Sequence, residues 1–345
     1  MEMSPHPERA LRACDALRDL VPDAGHLRHM ASHIDVLCGD YYGSMMTNSR
    51  AIAADRKYLE REGPLNFYTL YRSHSYHFKL YSAMFLGQYR PALDAANALI
   101  ATIPTELLQV PQPPMADWLE GFVGMKVHVL IRFGKWMELM AEPLPDDPAL
   151  YCVTTAMIHY GKAVAYAAGG QIEAALAEQQ SFLQAQARVP DTRYLFNNTC
   201  TDILAIAAAM LQGEIEYRQG NHNEAFALLR HAVELDDNLP YDEPWGWMQP
   251  TRHALGALLL EQGHAQEAAQ VYRADLGLDH TLSRAAWHPD NVWSLHGYVE
   301  CLHRLGEHAQ AAAAQNRLDL AMARADVHIN ASCFCRTAAS CLQST

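Results

Sequence analysis

Seven glycines divide the chain at near-regular intervals, and no other feature restricts its folding more. They stand at 39, 87, 134, 170, 220, 263 and 306, spaced 48, 47, 36, 50, 43 and 43 residues apart. Five residues after 87, 170, 220, 263 and 306 comes an alanine: Ala92, Ala175, Ala225, Ala268 and Ala311. Gly213 and Gly256 stand seven residues before Gly220 and Gly263. A turn glycine with small residues at fixed distances on either side describes two helices that reverse direction and then pack closely. The segments between turns are rich in Ala, Leu, Glu and Gln at a 3.6-residue period, with few β-branched alternations and no Asn-Gly hairpin, so the expected class is all-α. The early helices are expected over Pro7–Leu20, Gly25–Leu37, a helix from the break at Gly39-Asp40-Tyr41 to about Glu60, Tyr68–Leu86, a helix ending at Ile103, and Met115–Phe133. Two more follow the Pro-rich loop at 142–148, over Ala149–Ala168 and Gln171–Ala187.

Turn glycine, small first-helix residue and second-helix alanine together resemble the tetratricopeptide repeat, although these units run longer than the ~34 residues of that family. The resemblance implies one tetratricopeptide-like α-solenoid of about seven helical hairpins spanning residues 1–345. Histidine-rich repeats would occupy 1–140, and the remaining repeats and a C-terminal tail 141–345. The formal charge of −13 excludes the basic face that a nucleic-acid backbone or an anionic membrane requires. No apolar run approaches the ~20 residues that span a bilayer, and the start of the chain lacks the pattern of a signal peptide; a cytoplasmic location is expected. Eight cysteines at 14, 38, 152, 200, 301, 333, 335 and 341 are scattered as reduced, mostly buried thiols are. Only Cys333-Phe334-Cys335 is clustered, and such a pair is either incidental or a holder of a soft metal.

The histidines carry the chemistry. His26, His29 and His33 fall within about 60° of one another on a helix, and His74 and His77 repeat the three-residue spacing one hairpin later. Counted back from the turn glycines, His26 and His74 both lie at 13 residues, and His29, His77, His253 and His296 at 10; His33 and His128 both lie at 6. The tetratricopeptide resemblance implies that these first-helix positions face a concave groove. Adjacent helices pack about 8–10 Å apart, so His26, His29, His33, His74 and His77 are the expected ligand pool for one divalent transition metal (Zn, Cu, Fe or Ni). The other reading is a polar groove whose histidines hydrogen-bond a peptide or small molecule. His128, Tyr241, Glu243, Trp245 and His253 are the candidate groove residues. In the loop Tyr241-Asp242-Glu243-Pro244-Trp245-Gly246-Trp247, the two acids are either a general base or oxygen ligand, or merely solvated. Its tryptophans either wall a pocket or pack on a hairpin. Phosphate-loop, Gly-x-Ser-x-Gly and His-Glu-x-x-His motifs are absent.

Several segments carry a narrower resemblance. Ser4–Leu11, Ala24–Ile34 with its His26-Leu27-Arg28-His29-Met30-Ala31-Ser32-His33-Ile34 core, Tyr241–Pro244, Asp290–Leu295 and Ala331–Cys335 are similar to a group of bacterial and fungal tetratricopeptide-repeat proteins. In that group proline commonly follows the methionine where Ala31 stands here, and a further histidine-rich helix precedes the segment that starts at Ser4. The resemblance implies that a site completed by such a helix would be more open in this chain. The expected function is metal binding, with oxidoreductase or hydrolase chemistry on a small molecule in the groove. The alternative is a non-catalytic scaffold that binds a peptide or partner protein there.

Overall fold

The computed structural model describes residues 1–337, and within them the regular structure is helical apart from one short β-hairpin. A 3-10 turn at Pro7–Ala10 leads into α1 (Leu11–Arg18), α2 (Gly25–His29), α3 (Ala31–Leu37) and α4 (Tyr41–Glu62). Next come α5 (Tyr68–Phe85), α6 (Tyr89–Ala101), α7 (Thr105–Leu108), α8 (Met115–Val123), α9 (Met125–Arg132) and α10 (Trp136–Met140). The second half holds α11 (Cys152–Ala168), α12 (Ile172–Gln186), α13 (Cys200–Arg218), α14 (His222–Asp237), α15 (Thr251–Glu261), α16 (Ala265–Asp275), α17 (Val292–Leu305) and α18 (His308–Met322). Successive helices pack as antiparallel pairs, α4 on α5, α5 on α6, α11 on α12, α13 on α14 and α15 to α18 in series.

All seven turn glycines adopt φ between +61° and +87°, the left-handed conformation that ends a helix and that a Cβ disfavours. The five alanines that follow them are completely buried. At Gly256 a Cβ would sit 2.4 Å from the Tyr272 ring, and at Gly213 2.9 Å from Leu229. The repeat spacing is therefore a record of where helix pairs touch.

Three local departures from the sequence reading have identifiable causes. The Gly25–Leu37 segment is interrupted at Met30, where Ser32 Oγ donates to the His29 carbonyl at 2.6 Å and diverts it from the helical ladder. The Met115–Phe133 segment divides at Gly124, whose Cβ position lies 3.3 Å from Met157 of α11. Between α12 and α13 a two-stranded hairpin, β1 (Tyr194–Leu195) with β2 (Asn198–Thr199), lies against α8. Its turn places Phe196 at φ +50°.

Several helix starts are capped from a distance. The Glu120 carboxylate of α8 accepts from Val153 N (3.1 Å), Thr154 N (2.8 Å) and Thr154 Oγ1 (2.6 Å), which satisfies orphan donors at the start of α11. Asp236 does the same for α15, accepting from the Thr251 amide and hydroxyl. The last hairpin also reaches the second. Trp293 Nε1 donates to the Met84 carbonyl at 2.7 Å, and Asp326 accepts from Tyr89 N and Arg90 N at the start of α6. Repeat arrays whose units touch only their sequence neighbours have no contacts of this kind.

Cys333 and Cys335 are joined as a disulfide, with Cα atoms 5.2 Å apart, which corrects the expectation of reduced thiols at that pair. Cys14, Cys38, Cys152, Cys200 and Cys301 are free; Cys341 lies outside the described residues. Among the described residues, no helix is long and apolar enough to cross a membrane.

Candidate metal centre

The start of α2 is pressed against α4 at Gly25, where a Cβ would lie 1.9 Å from Asp55 Oδ1 and 2.8 Å from the Ala51 carbonyl. This close approach sinks the histidine stripe of α2 and α3 between α4 and α5. His29 and His77 are fully buried, and His33 and His74 are 9% and 7% exposed.

Three of the five pooled histidines converge. One nitrogen from each of His29, His33 and His74 lies within 4.8 Å of the other two. His29 Nε2 and His33 Nε2 face each other at 2.9 Å. Their opposite nitrogens are held from outside the group. His29 Nδ1 lies 2.7 Å from Asn48 Oδ1, and Asn48 turns that oxygen inward because its Nδ2 donates to the Ser44 carbonyl at 2.9 Å. An amide oxygen can only accept, so His29 Nδ1 carries the proton and its Nε2 presents a lone pair. His33 Nδ1 lies 2.5 Å from Glu243 Oε2, which orients the second ring likewise. Buried His and Glu groups of this kind could hold a metal ion.

Electrostatics separates the three rings. Burial, reinforced by the neighbouring histidines, keeps His29 and His74 well below the ordinary imidazole value, so both rings are neutral at pH 7. His33 is also penalised by burial, but its contact with Glu243 outweighs this and raises its pKa. A second group, Glu2, His33 and Glu243, also has its donor atoms within 4.8 Å; it would use the Nδ1 side of His33, where Glu2 approaches to 3.6 Å.

The remaining candidates divide. His26 packs at a tilt against Tyr71 with ring centres 4.5 Å apart and stacks on His29 at 5.5 Å, beside the group but outside it. His77 turns away: its Nε2 meets Met248 Sδ at 2.9 Å and its ring packs edge-on to Phe122. The five imidazoles therefore do not share one point. Counting from the turn glycines treats neighbouring first helices as level, whereas the contacts pair positions 10 and 6 of the first hairpin with position 13 of the second.

Tyr241 and Glu243 line a cavity of about 440 Å³ together with His33, His74, Phe67, Trp118 and Phe196. Asp242 and Glu243 are each 7% exposed, which corrects the reading of them as solvated. Asp242 is a structural anchor, accepting from Asn197 N and Asn198 Nδ2 of the β-hairpin. Trp245 does not wall the cavity; its indole donates to Asp236 Oδ1 at 3.0 Å and pins the other end of the loop. His128 does not reach the cavity either, and packs edge-on to Trp247 at 4.9 Å. His253 belongs to a separate buried network, between Arg132 Nη1 at 2.8 Å and Asp275 Oδ2 at 3.1 Å.

Asn48, Phe67, Trp118 and Phe196 were not singled out by the sequence. For Asn48 a signal exists: Ser44 and Asn48 are polar residues four apart on a face that continues into Ala51 and Asp55, all of them buried. No protein-family model matches the chain, and no curated protein matches it in sequence.

Proposed function

We propose that this protein binds a divalent transition-metal ion through His29, His33 and His74, on a tetratricopeptide-like superhelix, and presents the ion to a small molecule in the adjoining cavity. The observation that carries the reading is the pair of Nε2 atoms facing each other at 2.9 Å while Asn48 and Glu243 hold the far nitrogens. Outer partners of this type fix the tautomer and direction of metal-ligating imidazoles. Two nitrogens about 2.1 Å from one ion lie roughly 3 Å apart when they subtend a right angle, so His29 and His33 need almost no rearrangement. His74 moves inward to complete the set. Three imidazoles leave a coordination position for water or substrate. His33 and His74 both line the cavity, so that position opens onto it. Zinc there would activate water for hydrolysis, and iron or copper would suit oxidation of the bound molecule. Burial of the imidazoles argues against the alternative, a peptide-recognising face, because His33 and His74 are reached only through the cavity and His29 is fully buried.

The test is metal stoichiometry. Protein stripped with a chelator and reloaded with zinc or cobalt(II) should take up an equimolar ion by elemental analysis, and the cobalt form should show visible ligand-field bands. His29→Ala combined with His74→Ala should abolish uptake, whereas His77→Ala should retain it. Absence of equimolar uptake in the unsubstituted protein, or equal uptake in the double variant, would refute the assignment.

A further inference from the structure

The cavity beside the three histidines has an aromatic wall, an acidic floor and no lysine or arginine in its lining. Phe67 and Trp118 meet edge-on with ring centres 5.9 Å apart, and Phe196 packs against His74 at 4.4 Å. Tyr241 adds a fourth ring. The carboxylates that face the space are Glu2, Asp242 and Glu243, and neither lysine nor arginine lines it. These acids are not equivalent. Asp242 spends its oxygens on the backbone and side-chain donors of residues 197, 198 and 243, so it is accounted for as an anchor. Glu243 is 7% exposed; its Oε2 lies 2.5 Å from His33 Nδ1 as an ion pair without a well-aligned hydrogen bond, and its Oε1 has no hydrogen-bond partner either. A buried carboxylate oxygen without a donor costs free energy comparable to a lost charged hydrogen bond. An oxygen left so inside a cavity points to a donor that arrives with a ligand. The Tyr241 hydroxyl is the in-chain donor beside this carboxylate, yet it forms no well-aligned hydrogen bond to it.

We infer that the cavity takes a small organic cation, a molecule whose protonated amine or quaternary ammonium group meets Glu243 Oε1 and lies against the faces of Trp118, Phe196 and Phe67. Ring faces attract cations through their quadrupole, most strongly when water is excluded, and the cavity's volume falls in the range of about 300–1,000 Å³ usual for small-molecule sites. Anionic ligands meet three carboxylates and no counter-charge other than His33, which Glu243 already pairs. This inference uses the same cavity as the proposed function but does not require an ion at the histidines.

A charge series tests it. Phenethylamine, 2-phenylethanol and phenylacetate, alike in shape and differing in charge, are titrated calorimetrically into chelator-treated protein at pH 7, with saturation-transfer NMR as an independent readout. The amine should bind at least about tenfold more tightly than the alcohol, and phenylacetate should not bind. Glu243→Gln should remove most of that preference, and Trp118→Leu, at a half-buried position, should weaken the amine without favouring the alcohol. Equal affinity for amine and alcohol, preference for the acid, no binding of any member at millimolar concentration, or an unchanged amine preference in Trp118→Leu would overturn the inference. Should Glu243→Gln fail to fold by circular dichroism, the charge series and Trp118→Leu decide between them. Amine selectivity without equimolar zinc uptake retains this inference and discards the metal reading; zinc uptake without amine selectivity does the reverse.

Discussion

Asn48 and Glu243 perform the same service for two different rings. Each occupies the outward nitrogen of a histidine and so aims the inward nitrogen at a common point. Asn48→Leu would leave all three imidazoles in place but release the tautomer and tilt of His29. Loss of such an outer partner typically costs about 10–100-fold in metal affinity, and a competition titration of zinc against a chromophoric chelator should show a drop of that size. His26→Gln provides the contrast, because His26 stacks beside the group without joining it; its affinity should stay within about twofold of the unsubstituted protein. The converging histidines were legible in the sequence because their spacing is helical. Their partners were not. Asn48 lies on α4, and Glu243 is brought from 210 positions away by a loop whose course depends on Asp236, Trp245 and Asp242.

At the scale of elements, the same contrast holds between turns and packing. The seven reversals were readable because a residue in the left-handed region is nearly always glycine, and each appears where expected. The stagger between neighbouring hairpins was not readable, since it is set by which side chains interlock, and this is why His77 meets Met248 rather than the other imidazoles. Two glycine substitutions separate these roles. At Gly220, φ is +87° with nothing within 4 Å of an added Cβ, so Gly220→Ala should cost about 1–2 kcal/mol in backbone strain and leave zinc affinity unchanged. At Gly25 the added carbon would overlap Asp55 and the Ala51 carbonyl. Gly25→Ala should cost about 1–3 kcal/mol through overpacking and also push α2 outward, lowering zinc affinity. Urea unfolding combined with the chelator competition distinguishes the two. Equal effects on affinity would mean that α2 does not seat the site.

Taken as a whole, the molecule buries more neutral imidazole than its site requires, and this sets its response to acid. His77 and His128 are held near pKa 3 by burial, to which a neighbouring histidine adds at His77. His253 is held near 4, where burial outweighs the attraction of Asp275. In the unfolded chain each returns to about 6.5. A depressed histidine contributes stability that is complete above 6.5 and is lost as pH falls, because the unfolded chain takes up protons that the folded chain refuses. Each such group gives a slope of about 1.4 kcal/mol per pH unit, so these three together give about 4 kcal/mol per unit between roughly pH 6 and pH 4. Asp236 and Asp242 oppose this, because burial raises both to about 6: the folded chain keeps protons that the unfolded chain, near about 4, releases, so each gives an opposite slope of about 1.4 kcal/mol per pH unit between about pH 6 and pH 4. Asp275 adds nothing in that window: its pKa is depressed by its two histidine neighbours against the opposing effect of burial, and its contribution fades only below about pH 4. The net slope of these groups is about 1.4 kcal/mol per unit, so urea midpoints should fall gently between about pH 6 and pH 4 while changing little between pH 7 and 8. Replacing His128 with glutamine, which cannot be protonated in this range, should reduce the three-histidine slope by about a third. An unchanged pH dependence in the His128→Gln protein would mean that this ring is not sealed from water in the folded chain.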